Sequence, residues 1–436
     1  MKMNNMNILL VNPWIYDFAA YDLWMKPWGL LKISAILRKA GFEVSLIDAM
    51  DRHHPCFGSG VKDDKDGTGK FYSVEVRKPA PISHIPRTYR RYGMPAEHFI
   101  KALPEGGIDL ILVSSGMTYW YPGVFEAIKI LREKYPKTPI VLGGVYATLC
   151  SAHAREKSGA DVVLRNDEHG KLADMAGGGI DLSFGNILNE DIDYGFYGGV
   201  KYAPVRATLG CPFDCSYCAQ KELGPSFMKK NAGRAVNEIR TLYDKGIKIF
   251  AFYDDALLYD GEFIKNVFAK INEEGIKASF YTPNGLHARF LTGELAAMMK
   301  QINFINPIIS LETADERNEN SWHEKVTRGE FMKAVESLNR GGYGAGEYTA
   351  YILLGAPSDG FDSVKKTIDF AHSLGARVSL SEYSPVPGTE MAKKSGPVFD
   401  EPLLQNNSVY SSVNTAEWEQ IHSIKNYARR LNSYIS

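Results

Sequence analysis

The chain has 436 residues, a formal net charge of −1 and a hydrophobic fraction of 44%. That length predicts two or three domains, each able to bury a core. A net charge so close to zero gives no electrostatic basis for general binding to nucleic acid or to an anionic membrane.

The first apolar run, residues 8–11, ends at Asn12 and Pro13. It is too short for a signal segment or a membrane span. A reducing, cytoplasmic location is therefore expected, which favours thiolate ligation of metal over disulfides.

In chain order, the first part alternates strand and helix. Strands are predicted at residues 7–11, 43–47, 109–113, 139–142 and 161–164. Helices are predicted at 28–40, 123–133 and 148–157. Short, almost continuous apolar strands separated by helices predict a doubly wound, Rossmann-like parallel sheet covered on both faces. Such a sheet binds ligands at the carboxyl ends of its strands. The residues there are Asn12 and Pro13, then Ser114, Ser115 and Thr118, then Gly143, Gly144 and Tyr146, and finally Arg165 to Gly170. Glycine at 143 and 144 permits close backbone approach to a large ligand. Residues 52–93 carry no clear period and read either as a solvated loop or as a lid. A linker rich in Gly and Asp covers about 170–200.

Beyond it the alternation resumes. Strands are expected at 204–209, 248–253, 277–282, 307–311, 347–354 and 377–383. Helices are expected at 232–245, 261–273, 292–301, 330–340 and 361–374. Six strand–helix units predict a partial (β/α)6 barrel with its chemistry at the strand C-terminal ends. A helix over 416–431 closes the chain. The expected organisation is a sheet domain at 1–175, a linker at 176–200, a partial barrel at 201–395 and a helical tail at 396–436.

Cys211, Cys215 and Cys218 form a C-x3-C-x2-C run directly after the first barrel strand. Three thiolates this close cannot all pair as disulfides. They can hold an iron–sulfur cube with one iron left open to a substrate. A structural zinc site wants four ligands, and His287 or His323 would have to supply the fourth from a distance. Inert buried thiols are the ordinary alternative. The chain has only five cysteines, and three within eight residues argue against chance. Cys56 and Cys150 stand alone and read as plain thiols.

With Tyr217 before the third cysteine, this spacing resembles the radical S-adenosylmethionine (SAM) family. The resemblance implies a [4Fe-4S] cluster whose free iron is chelated by the amino and carboxylate groups of SAM. It also implies reductive cleavage of SAM to a 5′-deoxyadenosyl radical, with an electron donor such as flavodoxin or ferredoxin.

Further residues follow from the same resemblance. Asp254 and Asp255 stand where the family usually has Gly-Gly-Glu, and Asn284 ends the third barrel strand. Ser310 and Glu312 share one face of the fourth strand, since strand side chains repeat every two residues. They are similar to the family's contacts to the ribose or amino group. Arg328 is a candidate cation for the SAM carboxylate. Leu354 and Gly355 resemble the segment that packs on adenine. Singly, the aspartates and Glu312 read equally well as caps and Arg328 as a surface cation. Jointly, polar groups after successive strands favour a site.

Over about residues 7–170 the chain resembles cobalamin-binding domains. Asn12, Pro13 and Trp14 occupy the place where many of these carry Asp-x-His-x-x-Gly. The resemblance then implies cobalamin held without a protein imidazole, and His53 reads as a loop residue. The reaction implied is methylation of an unactivated carbon in a small-molecule or peptide substrate. A cobalamin-dependent cyclisation or rearrangement is the neighbouring alternative, and a non-catalytic cobalamin or redox sensor is another. Methylthiolation would need more cysteines in the N-terminal part.

Overall fold

The computed structural model describes residues 6–58, 60–322, 325–357, 359–394, 400–410 and 415–435. The expected boundary between 395 and 396, and His323, lie outside the described residues. The chain divides into two compact units. The first comprises Met1–Val200, Glu222–Gly224 and Pro397–Asn406, and the second Lys201–Lys221, Pro225–Gly396 and Asn407–Ser436.

The first unit is built on β1 (Asn7–Asn12), α1 (Trp28–Lys39), β2 (Glu43–Asp48), β3 (Leu110–Val113), α2 (Tyr121–Lys134), β4 (Ile140–Leu142), α3 (Val145–Leu149), α4 (Ser151–Lys157) and β5 (Val162–Val163). The strands are all parallel, in the order β2-β1-β3-β4-β5. Alternate residues face opposite cores. Leu9, Val11, Ile111 and Val113 pack with Val124, Ala127 and Leu131 of α2. Ile8, Leu10, Leu110 and Leu112 pack with Leu30, Ile36 and Leu37 of α1. Two buried faces explain why these strands read as unbroken apolar runs. The strand order reverses between β1 and β3, which places the ligand crevice of this topology beside Asn12 and Ser114.

The turn after β4 shows why two glycines stand there. Gly144 has φ +96°, and a Cβ at that position would come within 2.4 Å of the Ser115 carbonyl oxygen. A Cβ on Gly143 would meet nothing within 4 Å. Gly144→Ala should therefore destabilise this unit by about 2 kcal/mol or more, through backbone strain and overlap. Gly143→Ala should leave the thermal midpoint close to that of the parent. Equal midpoints for the two variants would contradict this reading.

Residues 52–93, expected to lack structure, contain short strands. Ile15–Asp17 pairs with Arg90–Tyr92, which pairs in turn with Ser73–Glu75, all antiparallel. Tyr21–Asp22 pairs with Gly69–Lys70. Arg52 is 3% exposed and organises the turn between them. It donates to Asp22 at 2.7 Å, and to Asp63 and the Gly67 carbonyl at 2.9 Å each. Pairs of two or three residues are too short to leave a period in the sequence.

The second unit contains β6 (Ala203–Val205), β7 (Thr208–Leu209), β8 (Met228–Lys229), α5 (Ala232–Asp244), β9 (Ile249–Phe252), α6 (Gly261–Glu273), β10 (Ser279–Tyr281), β11 (Leu286–His287), α7 (Gly293–Gln301), β12 (Ile308–Glu312), α8 (Arg328–Arg340), β13 (Thr349–Leu354), α9 (Phe361–Ser373), β14 (Arg377–Glu382) and α10 (Thr415–Asn432). Two parallel sheets form, β6-β9-β10 and β11-β12-β13-β14. The helices begin where the caps dictate. Asn231 caps α5, Asp260 caps α6 and Thr292 caps α7, while Thr327 and Glu330 make a capping box on α8.

The expected strand at 204–209 breaks after Val205. Its second half, β7, turns away to pair antiparallel with β8. At the far edge, α10 covers β14. The Asn432 side-chain amide accepts from the Val378 N–H and donates to the Val378 carbonyl, each at 2.8 Å. Among the described residues, no helix is long and apolar enough to cross a membrane.

Candidate functional site

The three cysteines lie on the loop that follows β7. Cys215 is buried, Cys211 is partly buried and Cys218 is exposed. Burial pushes the Cys215 thiol up to about 11 and raises that of Cys211. At neutral pH these side chains are therefore thiols until a metal displaces their protons, and metal loading should strengthen as pH rises. Among the described residues, no three His, Cys, Asp or Glu side chains converge tightly enough to hold one ion. The C-x3-C-x2-C run suits a multi-iron cluster, in which each thiolate meets its own iron. His287 lies among aromatic rings, 4.7 Å from Phe213 and 5.0 Å from Phe290 between centroids. Burial pushes its imidazole down to about 3, and among the described residues neither ring nitrogen has a hydrogen-bond partner.

The two aspartates after β9 hold this loop in place. Asp255 Oδ2 accepts from Arg206 at 2.9 Å, from the Gly210 N–H at 3.1 Å and from Gln220 at 3.1 Å. Gly210 immediately precedes Cys211 and Gln220 stands two residues beyond Cys218, so one carboxylate fastens both ends. Asp254 is 1% exposed, and its Oδ1 accepts from the Ala207 N–H at 2.9 Å and the Thr208 hydroxyl at 2.7 Å. The Thr208 N–H donates to the same oxygen. Asp255 thus fastens the cysteine loop, while Asp254 holds the residues that open β7 just before it. Asn284 joins them by donating to the Tyr253 carbonyl at 2.8 Å and, more loosely, to that of Asp254 at 3.3 Å.

The end of β12 is irregular. Its register with β13 shifts between Ser310 and Glu312, and Glu312 has φ +63°. A non-glycine residue held there costs about 1–3 kcal/mol and persists only where its surroundings fix it. Glu312 is fixed by Lys325, whose Nζ stands 2.9 Å from Oε1. Lys325 also lies 5.7 Å from the ring centroid of Tyr217, the residue before Cys218. Burial alone would lower the lysine pKa, but the Glu312 carboxylate outweighs it and the ammonium is held charged. Lys325, paired with a carboxylate, thus places a largely buried cation against the residue that precedes Cys218.

Arg328, the candidate cation for the SAM carboxylate, stacks on Phe370 at 4.7 Å. Lys325 sits in a loop without strand register, so nothing in the sequence aimed it. Ser310 is buried beneath Gly285, where a Cβ would come within 3.1 Å of its hydroxyl. Leu354 is buried, and Gly355, with φ +80°, faces open space. Tyr217 packs on a cluster of Trp322, Leu353, Tyr383 and Met391. The Met391 N–H donates to the Ser216 carbonyl at 2.8 Å, tying the turn after β14 to the cysteine loop.

In the first unit, Asn12 donates to Asp48 at 2.7 Å and accepts from Ser114 at 3.0 Å, across the switch point. Tyr197 donates to the other Asp48 oxygen at 2.8 Å. Pro13 and Thr118 are buried nearby. Ser115 is spent internally, donating to the Gly143 carbonyl at 2.6 Å. Tyr146 is fully buried, with its hydroxyl 2.7 Å from His153 Nδ1, so its ring belongs to the core. Residues from the distant 401–406 segment complete this unit. Tyr121 donates to Glu401 at 3.0 Å and Asn406 to Asp17 at 2.9 Å.

Residues 205–371 match the family model described as the radical SAM superfamily. It is 24% identical over 198 residues to an uncharacterised methyltransferase of Pyrococcus horikoshii, covering 44% of this chain and only 42% of that protein. It is 19% identical over 417 residues to the hopanoid C-3 methylase of Methylococcus capsulatus, covering 88% of this chain and 72% of the methylase. Among solved structures, the fold matches the radical SAM methyltransferase TsrM from Kitasatospora setae, a structure with cobalamin and a [4Fe-4S] cluster bound. The TM-score is 0.64 at 14% identity, over 93% of this chain and 84% of TsrM.

Proposed function

We propose that this chain is a cobalamin-dependent radical SAM enzyme that methylates an unactivated carbon. The observation that carries the reading is the cysteine loop flanked by the Glu312–Lys325 pair, downstream of a parallel sheet with an open strand-end turn at Gly143. Cys211, Cys215 and Cys218 would ligate three irons of a [4Fe-4S] cluster. The C-x3-C-x2-C spacing and the exposure of Cys218 fit that group. When bound, the cluster and SAM supply the hydrogen-abstracting radical, and cobalamin supplies the methyl group.

The protein's own contribution is placement. Glu312 and Lys325 present opposite charges that suit the ammonium and carboxylate of an amino-acid zwitterion. Gly355 leaves room beside Leu354 for a flat base. Asp255 holds both ends of the ligand loop in register. In this reading β6, β9, β10, β12, β13 and β14 are the six main strands of a partial barrel, covering the proposed 201–395 domain. Residues 1–175 form the cobalamin-binding domain, with Asn12, Ser114 and Gly143 at its ligand end. An external one-electron donor such as flavodoxin or ferredoxin completes the system.

The test is anaerobic reconstitution of the full chain with iron, sulfide and hydroxocobalamin. The expected result is about four irons and about one cobalt per chain, with 5′-deoxyadenosine formed from SAM and dithionite. A chain that takes up only zinc, or that holds four irons yet never cleaves SAM, defeats the reading.

A further inference from the structure

We infer that Glu312 and Lys325 form a charge pair that sets the reduction potential of the cluster held by the three cysteines. The inference rests on the cluster proposed above and goes beyond it, because it assigns the pair a role before any SAM arrives.

The geometry has three parts. Lys325 Nζ and Glu312 Oε1 are 2.9 Å apart, with 22% and 11% of their side chains exposed. The same ammonium lies over the ring of Tyr217, between Cys215 and Cys218 in sequence. Glu312 is presented by a backbone at φ +63° and by a break in strand register, so its carboxylate is aimed rather than incidental.

Reduction by an external donor adds one electron, and hence one negative charge, to the cluster. A fixed cation nearby favours that added charge and a fixed carboxylate opposes it, most strongly where water is scarce. As a contact pair, each partner cancels much of the other's field, so the potential is held between two extremes. Removing either partner unbalances it in a direction that depends only on which charge is lost. A merely structural pair would alter stability but would not give shifts of opposite sign.

The experiment is a redox titration of the reconstituted full chain, followed by electron paramagnetic resonance without SAM. Lys325→Met should move the midpoint to more negative potential and Glu312→Gln to more positive potential. The double variant should lie nearer the parent than either single one. Shifts of the same sign, or midpoints equal to the parent at equal iron content, overturn the inference. Should Lys325→Met hold no cluster, Glu312→Gln decides alone, and the absence of a positive shift overturns it. A parent protein that binds no iron fails the earlier reading before any potential is measured, so the two failures are distinguishable.

Discussion

Replacing Cys211, Cys215 or Cys218 by alanine should lower 5′-deoxyadenosine formation by about a thousand-fold or more, equivalent to about 4 kcal/mol in the activation barrier. Under the proposed ligation, three protein ligands and one open iron leave the cluster no spare anchor, so losing any one thiolate would leave two for four irons. The fold should survive best in Cys218→Ala, because that residue is exposed. Cys215→Ala removes a buried sulfur and should cost some stability as well. Cys56→Ala is the control. It lies in the first unit and should change neither iron content nor product yield. The measurement is iron per chain beside product by chromatography. A Cys218→Ala protein with parental iron and parental yield would remove that residue from the site.

The second large effect belongs to Asp254. Its Oδ1 takes up two backbone N–H groups and one hydroxyl at the start of β7, in a place closed to water. Asp254→Ala leaves these buried donors without an acceptor, at about 1–3 kcal/mol for each unsatisfied group. The expected loss is about 3–5 kcal/mol, with disorder reaching the adjacent cysteine loop and lower iron content. Asp254→Asn keeps an acceptor oxygen and should be far milder.

The pair also separates on pH. Burial pushes the Asp254 carboxyl up to about 6, above its ordinary value of 3.8. A raised pKa means the native state binds the proton more tightly than the unfolded chain does. This group's contribution to stability is therefore fully present below about pH 4 and is lost as pH rises through 6. Asp254→Asn should flatten that part of the stability–pH curve. A variant with the parental slope between pH 4 and 7 would show that another group is titrating.

Much of this architecture was legible because the strands are short, apolar and bounded by turn residues. The helices that begin at Ala232, Gly261 and Phe361 start where the sequence predicts, at or beside recognisable caps. The cysteine spacing alone singled out the loop proposed to bind the cluster. What the sequence could not supply is direction. Asp254 and Asp255 are adjacent polar residues at a strand end, and only their partners reveal that both serve the loop of residues 206–220. Lys325 and Arg328 are two cations three residues apart, separated in role by a helix start. Glu401 and Asn406 meet Tyr121 and Asp17 across nearly the whole chain length, a relation no local pattern encodes. Tyr146 follows a turn that invites a ligand, yet the register of α3 rotates its ring inward.

The amide of Asn432 imitates one rung of a β-ladder on the outer side of β14. An uncovered parallel edge is a template on which further chains can add. The closing helix is therefore a guard against self-association as much as a part of the fold. A chain shortened before Thr415 should form oligomers that grow with protein concentration, even if its iron site still assembles.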